Sequence, residues 1–118
     1  MSAKREFVAV SEIPKAEKQL RVMQWNILAR GLSAADDPSL KACDPSHLAW
    51  DNRLPRIIEE IKRQNPDILS VEELDQKDDL MAGLPGYQCL YAPNPDSPCL
   101  GLTPPSQYGP DGVAIIYK

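Results

Sequence analysis

Residues 66–75 read Pro-Asp-Ile-Leu-Ser-Val-Glu-Glu-Leu-Asp. Within them, residues 68–73 (ILSVEE) form a short strand that ends on two carboxylates. Asn65-Pro66 opens this stretch, and a residue before proline is pushed out of the helical region, so a helix must stop there. That helix falls within residues 51–64, where Leu54, Ile57, Ile58 and Ile61 recur at helical spacing as one apolar stripe. Pro55 is expected in its first turn, where a missing N–H matters least. Further upstream, residues 20–28 (LRVMQWNIL) carry Val22, Met23, Trp25, Ile27 and Leu28, apolar on both faces. That pattern suits a central strand covered on both sides. Strand, helix and strand in this order predict a β-α-β unit with the two strands parallel.

Downstream, residues 75–84 predict a short acidic helix, with Asp75 as N-cap and Leu80, Met81 and Leu84 facing inward. Residues 87–92 and 112–117 predict a third and a fourth strand. The loop between them, residues 93–111, holds six of the 12 prolines. A loop of that length in a small domain is usually functional or disordered. A hairpin of strands three and four would leave the apolar residues 113–117 as a bare sheet edge, as if more sheet should follow. Residues 30–46, rich in Gly, Asp-Pro and Ser, read as a loop. Residues 1–18 are polar and aperiodic and read as a leader, which leaves 19–118 as a single domain of modest core.

Net charge is −4, and no Lys or Arg cluster is dense enough to displace counterions from a polyanion. The chain is therefore a poor general DNA- or RNA-binding module, and no DNA-specific binding is expected. An acidic enzyme that grips phosphates through a metal ion is compatible with this balance. The cysteines are Cys43, Cys89 and Cys99, an odd count without a C-x-x-C pair, so they support neither a disulfide framework nor a zinc site. Reduced thiols point to an intracellular protein, with the cytoplasm first and the mitochondrion second. No apolar run suits a membrane span, and a secretory signal is not expected, because residues 1–7 have no apolar h-region behind them.

Two features can carry chemistry. Asn26 lies near the end of the first strand and Glu72-Glu73 at the end of the second. If the strands are parallel neighbours, these groups meet at the carboxyl rim of the sheet, the usual place for ligands in open α/β sheets. A carboxamide and a carboxylate are hard oxygen donors suited to Mg²⁺. By themselves, polar residues at a strand end are as simply read as solvated groups. Trp25 and Trp50 border apolar patterns and read as core. His47 matches no catalytic pattern and reads as a surface or capping residue. Asp111-Gly112 most simply turns the chain into the last strand, and Asn94 is a turn residue in a proline-rich loop.

Five stretches occur in order: RVMQWNILA (21–29), WDNRLPRIIEEI (50–61), PDILSVEELD (66–75), SPCL (97–100) and GPDGVAIIY (109–117). In order and spacing the chain resembles the endonuclease/exonuclease/phosphatase superfamily, and within it the nocturnin-like and carbon-catabolite-repressor-type deadenylase branches. The resemblance implies an α+β fold, the N-terminal part of a four-layer αββα sandwich with mixed β-sheets. It implies Mg²⁺, with Glu73 as its main ligand and Asn26 beside it, orienting the phosphate. Glu72 stands where the family usually has Gln, which adds charge and leaves open whether it shares the metal. Asn94 stands where nocturnin-like sequences place a phosphate-contacting Lys, and Asp111 falls in a loop near the active site, so both are candidate substrate-binding residues. The implied activity is phosphoester hydrolysis of the NADP(H) 2′-phosphatase type. The alternatives are 3′-exoribonuclease or poly(A) deadenylase action on an RNA 3′ end, or a catalytically inactive fragment or interaction module. The family's later Asp-x-Asn and Asp-His motifs do not occur in these 118 residues, so the chain alone is expected to be inactive.

Overall fold

The computed structural model describes residue 8, residues 19–34 and residues 38–118. Apart from Val8, the leader of residues 1–18 lies outside the described residues. Four strands form one mixed sheet: β1 (Val22–Asn26), β2 (Ile68–Leu74), β3 (Gln88–Pro93) and β4 (Gly112–Tyr117), in the order β1-β2-β4-β3. β1 and β2 are parallel and pair Val22 with Ile68 through Asn26 with Glu72. β4 runs antiparallel to both β2 and β3. The β-α-β unit is thus as the apolar stripe requires.

Between β1 and β2 lie two four-residue helices, α1 (Arg30–Ser33) and α2 (Pro45–Leu48), and the long α3 (Trp50–Gln64). A 3₁₀ turn spans Pro38–Leu40, so the stretch expected as plain loop carries short helical turns. α3 buries Ile57 and Ile61, with Leu54 and Ile58 packed beside them. Asn65 ends it in the left-handed region at φ 50°, and the Asn65 amide bonds the Ile61 carbonyl at 2.8 Å. Pro55 does not sit in the first turn. The helix begins at Trp50, which is buried and donates its indole N–H to Asp79 at 3.1 Å. Anchoring Trp50 there moves Pro55 into the second turn, where it forfeits the bond to the Asp51 carbonyl. Both residues are on the exposed side, where water can reach that carbonyl.

Helix α4 (Lys77–Ala82) follows β2 and buries Leu80, with Leu84 buried just beyond it. Its cap is Gln76, without a side-chain bond; Asp75 is not the N-cap, because its carboxylate is committed elsewhere.

One sheet face carries the rows Met23/Leu69/Ile116/Cys89 and Trp25/Val71/Ala114/Tyr91. It packs on Ile57, Ile61, Leu80 and Leu84, as one core. Trp25 and Trp50 both belong to it. The other face carries the row Gln24/Ser70/Ile115/Leu90 and is open, with Val22, Leu90, Val113 and Ile115 exposed at 61, 64, 54 and 43%. Two expectations are corrected here. β1 is an edge strand with one face in solvent, not a central strand covered on both sides. β4 is no bare edge: it lies between β2 and β3, with its backbone paired on both sides.

Candidate functional site

The topology brings every candidate residue to one end of the sheet. Asn26 closes β1 and is in register with Glu72, so Glu73 leaves β2 beside it. Because β4 is antiparallel to β2, its first residue, Gly112, pairs with Leu74, which sets Asp111 at the same rim. Pro93 of β3 also pairs with Gly112, and the Asn94 amide bonds the Asp111 carbonyl at 2.9 Å.

Glu73 has unusual local geometry. From Val71 to Leu74 the chain of β2 advances one residue more than β4 does between Ala114 and Gly112. This is a β-bulge, and Glu73 adopts it in the left-handed region at φ 56°. The burial pattern shows the effect. Leu69 and Val71 are buried, so strict alternation would bury residue 73 and expose residue 74. Instead Leu74 is fully buried and Glu73 only half-buried. The bulge therefore releases a carboxylate from the core face and returns a leucine to it. A non-glycine residue in this region costs of order 1 kcal/mol or more, and such strain gathers at functional sites.

The two glutamates differ in their engagement. Glu72 lies on the open face and accepts a bond from the Gln24 carboxamide at 2.7 Å. No hydrogen bond or ion pair from any described residue reaches the Glu73 carboxylate. Asn26 is exposed, and its Oδ1 accepts the Leu28 amide at 3.1 Å, an Asx-type turn that leaves its NH₂ directed elsewhere. Leu28 takes φ 62° as the chain turns away.

Several residues that shape the rim were invisible in the sequence. Asp75 accepts the backbone amides of Arg30 at 2.9 Å and Gly31 at 2.8 Å, clamping the exit of β2 to the exit of β1. Gly31 leaves no room for a Cβ, which would strike the Ser106 hydroxyl and crowd Asp75. Arg53 reaches back from α3 to the Ile27 carbonyl at 2.7 Å, the Leu48 carbonyl at 3.1 Å and the Ser33 hydroxyl at 2.8 Å. Burial lowers the pKa of its guanidinium from the ordinary value, and the Asp75 charge partly restores it. The long loop is tied by Ser97, which is buried. Its hydroxyl accepts the amides of Cys99 and Asp111, both at 3.1 Å, and donates to the Asp111 carboxylate in a short bond. Asp111 is thus buried and occupied within the loop. Asn94 is exposed, with its Oδ1 on the Asp96 amide at 3.0 Å, a turn residue in its local role. His47 is exposed on α2, away from this set.

Whether these residues suit a divalent ion is a question of donor chemistry. Among the described residues, no three His, Cys, Asp or Glu side chains gather as a metal cluster. The rim offers instead one unengaged carboxylate, Glu73, with a carboxamide beside it. That sparse hard-oxygen set fits an ion such as Mg²⁺, which keeps most of its waters and takes one or two carboxylates.

An α+β unit with a mixed sheet, and with its polar residues gathered on one rim, is the class this architecture defines. Residues 23–118 match the model of the Endonuclease/Exonuclease/phosphatase family, and the chain belongs to that family. It is 39% identical over 118 residues to human nocturnin, covering 96% of this chain and 26% of that protein. It is 35% identical to Drosophila melanogaster nocturnin, covering 92% of this chain and 17% of the relative. Among solved structures, the human nocturnin catalytic domain with a bound sulfate anion superposes with a TM-score of 0.60 at 38% identity. That match covers 83% of this chain and 32% of the other. The crystal structure of ANGEL2, a 2′,3′-cyclic phosphatase, matches with a TM-score of 0.62 at 29% identity, covering 84% of this chain and 27% of its own. The chain thus spans about a quarter of human nocturnin, and its mixed sheet with helices matches part of the nocturnin catalytic fold. No helix among the described residues is long and apolar enough to cross a membrane.

Proposed function

We propose that this chain supplies the metal- and phosphate-binding rim of a Mg²⁺-dependent phosphoester hydrolase acting on a nucleotide inside the cell, with the 2′-phosphate of NADP(H) as the bond cut. The observation that carries this reading is the Glu73 carboxylate, released from the core by a strained bulge, without a partner among the described residues, and next to Asn26. Glu73 would hold the ion as its main ligand. Asn26 would offer its carboxamide oxygen to the ion or its NH₂ to a phosphoryl oxygen. Glu72, committed to Gln24, tunes the local charge without ligating. When bound, Mg²⁺ supplies polarisation of the phosphoryl group. The Ser97–Asp111 lock keeps the long loop closed on the rim, so Asp111 acts by shaping the substrate pocket, and Asn94 borders it from β3. We assign no step to His47.

A 3′-exoribonuclease acting on an RNA end uses the same rim chemistry and is the second substrate reading. The exposed apolar face of β1, β3 and β4 favours a further reading, in which the chain docks another surface and is catalytically silent alone.

The test is Mg²⁺-dependent phosphate release from NADPH, by this chain and by a form extended to the full reading frame, each with Glu73→Ala. Release that needs Mg²⁺ and vanishes with Glu73→Ala supports the reading. Absence of both phosphate release and RNA trimming in either form overturns it.

A further inference from the structure

Arg30 places a cation at the rim. It opens α1 just after β1, and its backbone amide is pinned by Asp75. Its guanidinium lies over the Tyr108 ring at 4.3 Å and makes one long bond, 3.4 Å, to the Gln76 carboxamide oxygen. The residue is half-buried. It forms no ion pair with any carboxylate among the described residues. A guanidinium has five N–H donors in a rigid fork that matches phosphate, and among the described residues one donor is used, poorly. Stacking on tyrosine holds the fork in place at little further entropy loss on binding.

What Arg30 faces supports a ligand. It lines a cleft of about 700 Å³ with Lys41, Ser33, Leu48 and Tyr108, where the two cations outnumber the single carboxylate among the described lining residues, that of Asp51. That volume suits a nucleotide-sized molecule. The turn at residues 93–96, on the far edge of the sheet, offers Asn94 and Asp96 and no cation.

We propose that Arg30 is the anion-binding residue of this site, taking a phosphate of a nucleotide ligand in a forked pair, with Tyr108 as its positioning partner and Lys41 as a second cation in the same cleft. The choice of a nucleotide rests on the hydrolase reading above; the anion site itself does not.

The experiment titrates the full chain with inorganic phosphate, and separately with NADPH and NADH, while following the Arg30 side-chain N–H and backbone amides by NMR. Phosphate is expected to shift the Arg30 Nε–H, and NADPH to bind more tightly than NADH. Arg30→Gln should weaken phosphate binding by about tenfold, as loss of a charged hydrogen-bonding partner does, and Arg30→Lys should recover part of it. Thermal unfolding of both variants separates loss of binding from loss of fold. An unmoved Arg30 Nε–H at high millimolar phosphate, or an Arg30→Gln variant that binds as the parent does, overturns the proposal. The hydrolase reading fails separately: binding without turnover in the extended form removes that reading and keeps the anion site. Turnover with KM unchanged by Arg30→Gln does the reverse.

Discussion

The carboxylate of Asp75 accepts the backbone amide of Gly31 at 2.8 Å, across 44 positions of sequence. Its other oxygen takes the Arg30 amide at 2.9 Å. One side chain thereby ties the ends of two parallel strands into a single rim. Asp75→Ala is expected to destabilise the domain by about 2 kcal/mol, since two backbone donors lose a charged acceptor. Asp75→Asn should lose less, because one acceptor oxygen remains. Urea unfolding of the two variants measures this, and equal midpoints for Asp75→Ala and the parent would refute the clamp.

Arg53 makes three bonds to groups on three different segments. Arg53→Met keeps much of the aliphatic stem but strands the Ile27 and Leu48 carbonyls and the Ser33 hydroxyl. The expected loss is about 3 kcal/mol, from buried acceptors left without donors. Arg53→Lys should recover little, because a point charge cannot span a planar fork. Thermal unfolding would show both variants well below the parent.

At Glu73 the stability of the fold and the proposed metal site pull in opposite directions. Its φ of 56° suits glycine, so Glu73→Gly should raise stability by about 1 kcal/mol while removing the proposed metal ligand. Glu72→Ala, by contrast, should leave the response to Mg²⁺ in place, since Glu72 is bonded to Gln24. Denaturant midpoints and metal titrations on the two variants would separate these roles. A metal response lost with Glu72→Ala and kept with Glu73→Gly would reverse the assignment.

The thiols should react in a fixed order. Cys43 is exposed, Cys89 half-buried and Cys99 buried. Burial raises the pKa of both the Cys89 and Cys99 thiols, so at pH 8 less of each is the reactive thiolate. Cys43 is expected to be labelled first by a disulfide reagent and Cys99 last, with the spread collapsing in denaturant. Mass spectrometry of peptides from a time course would reveal any other order.

Local pattern was enough for the elements that carry their own signal. The stripe of Leu54, Ile57, Ile58 and Ile61 announces α3, Asn65-Pro66 announces its end, and the fourth strand occupies the residues read for it. Strand order was not legible, because the pairing of Leu69 with Ile116 is a long-range event with no local mark. That is why β4 read as an edge and β1 as a centre. Asp75 read as a helix cap, since its actual partners lie 44 and 45 positions upstream. Arg30, inside a segment read as loop, gave no sign of Tyr108. One signal was present and passed over: after Leu69 and Val71, the next apolar residue is Leu74, out of phase by one. That slip marks the bulge, and with it the left-handed turn at Glu73.

The bulge also bears on descent. A chain under no demand at position 73 gains stability by drifting to glycine or asparagine, which enter the left-handed region freely. This chain holds glutamate at φ 56°, with its carboxylate turned from the core. Selection for folding stability alone would favour glycine or asparagine at position 73, so glutamate there is a stability-lowering residue of the kind that gathers at functional sites.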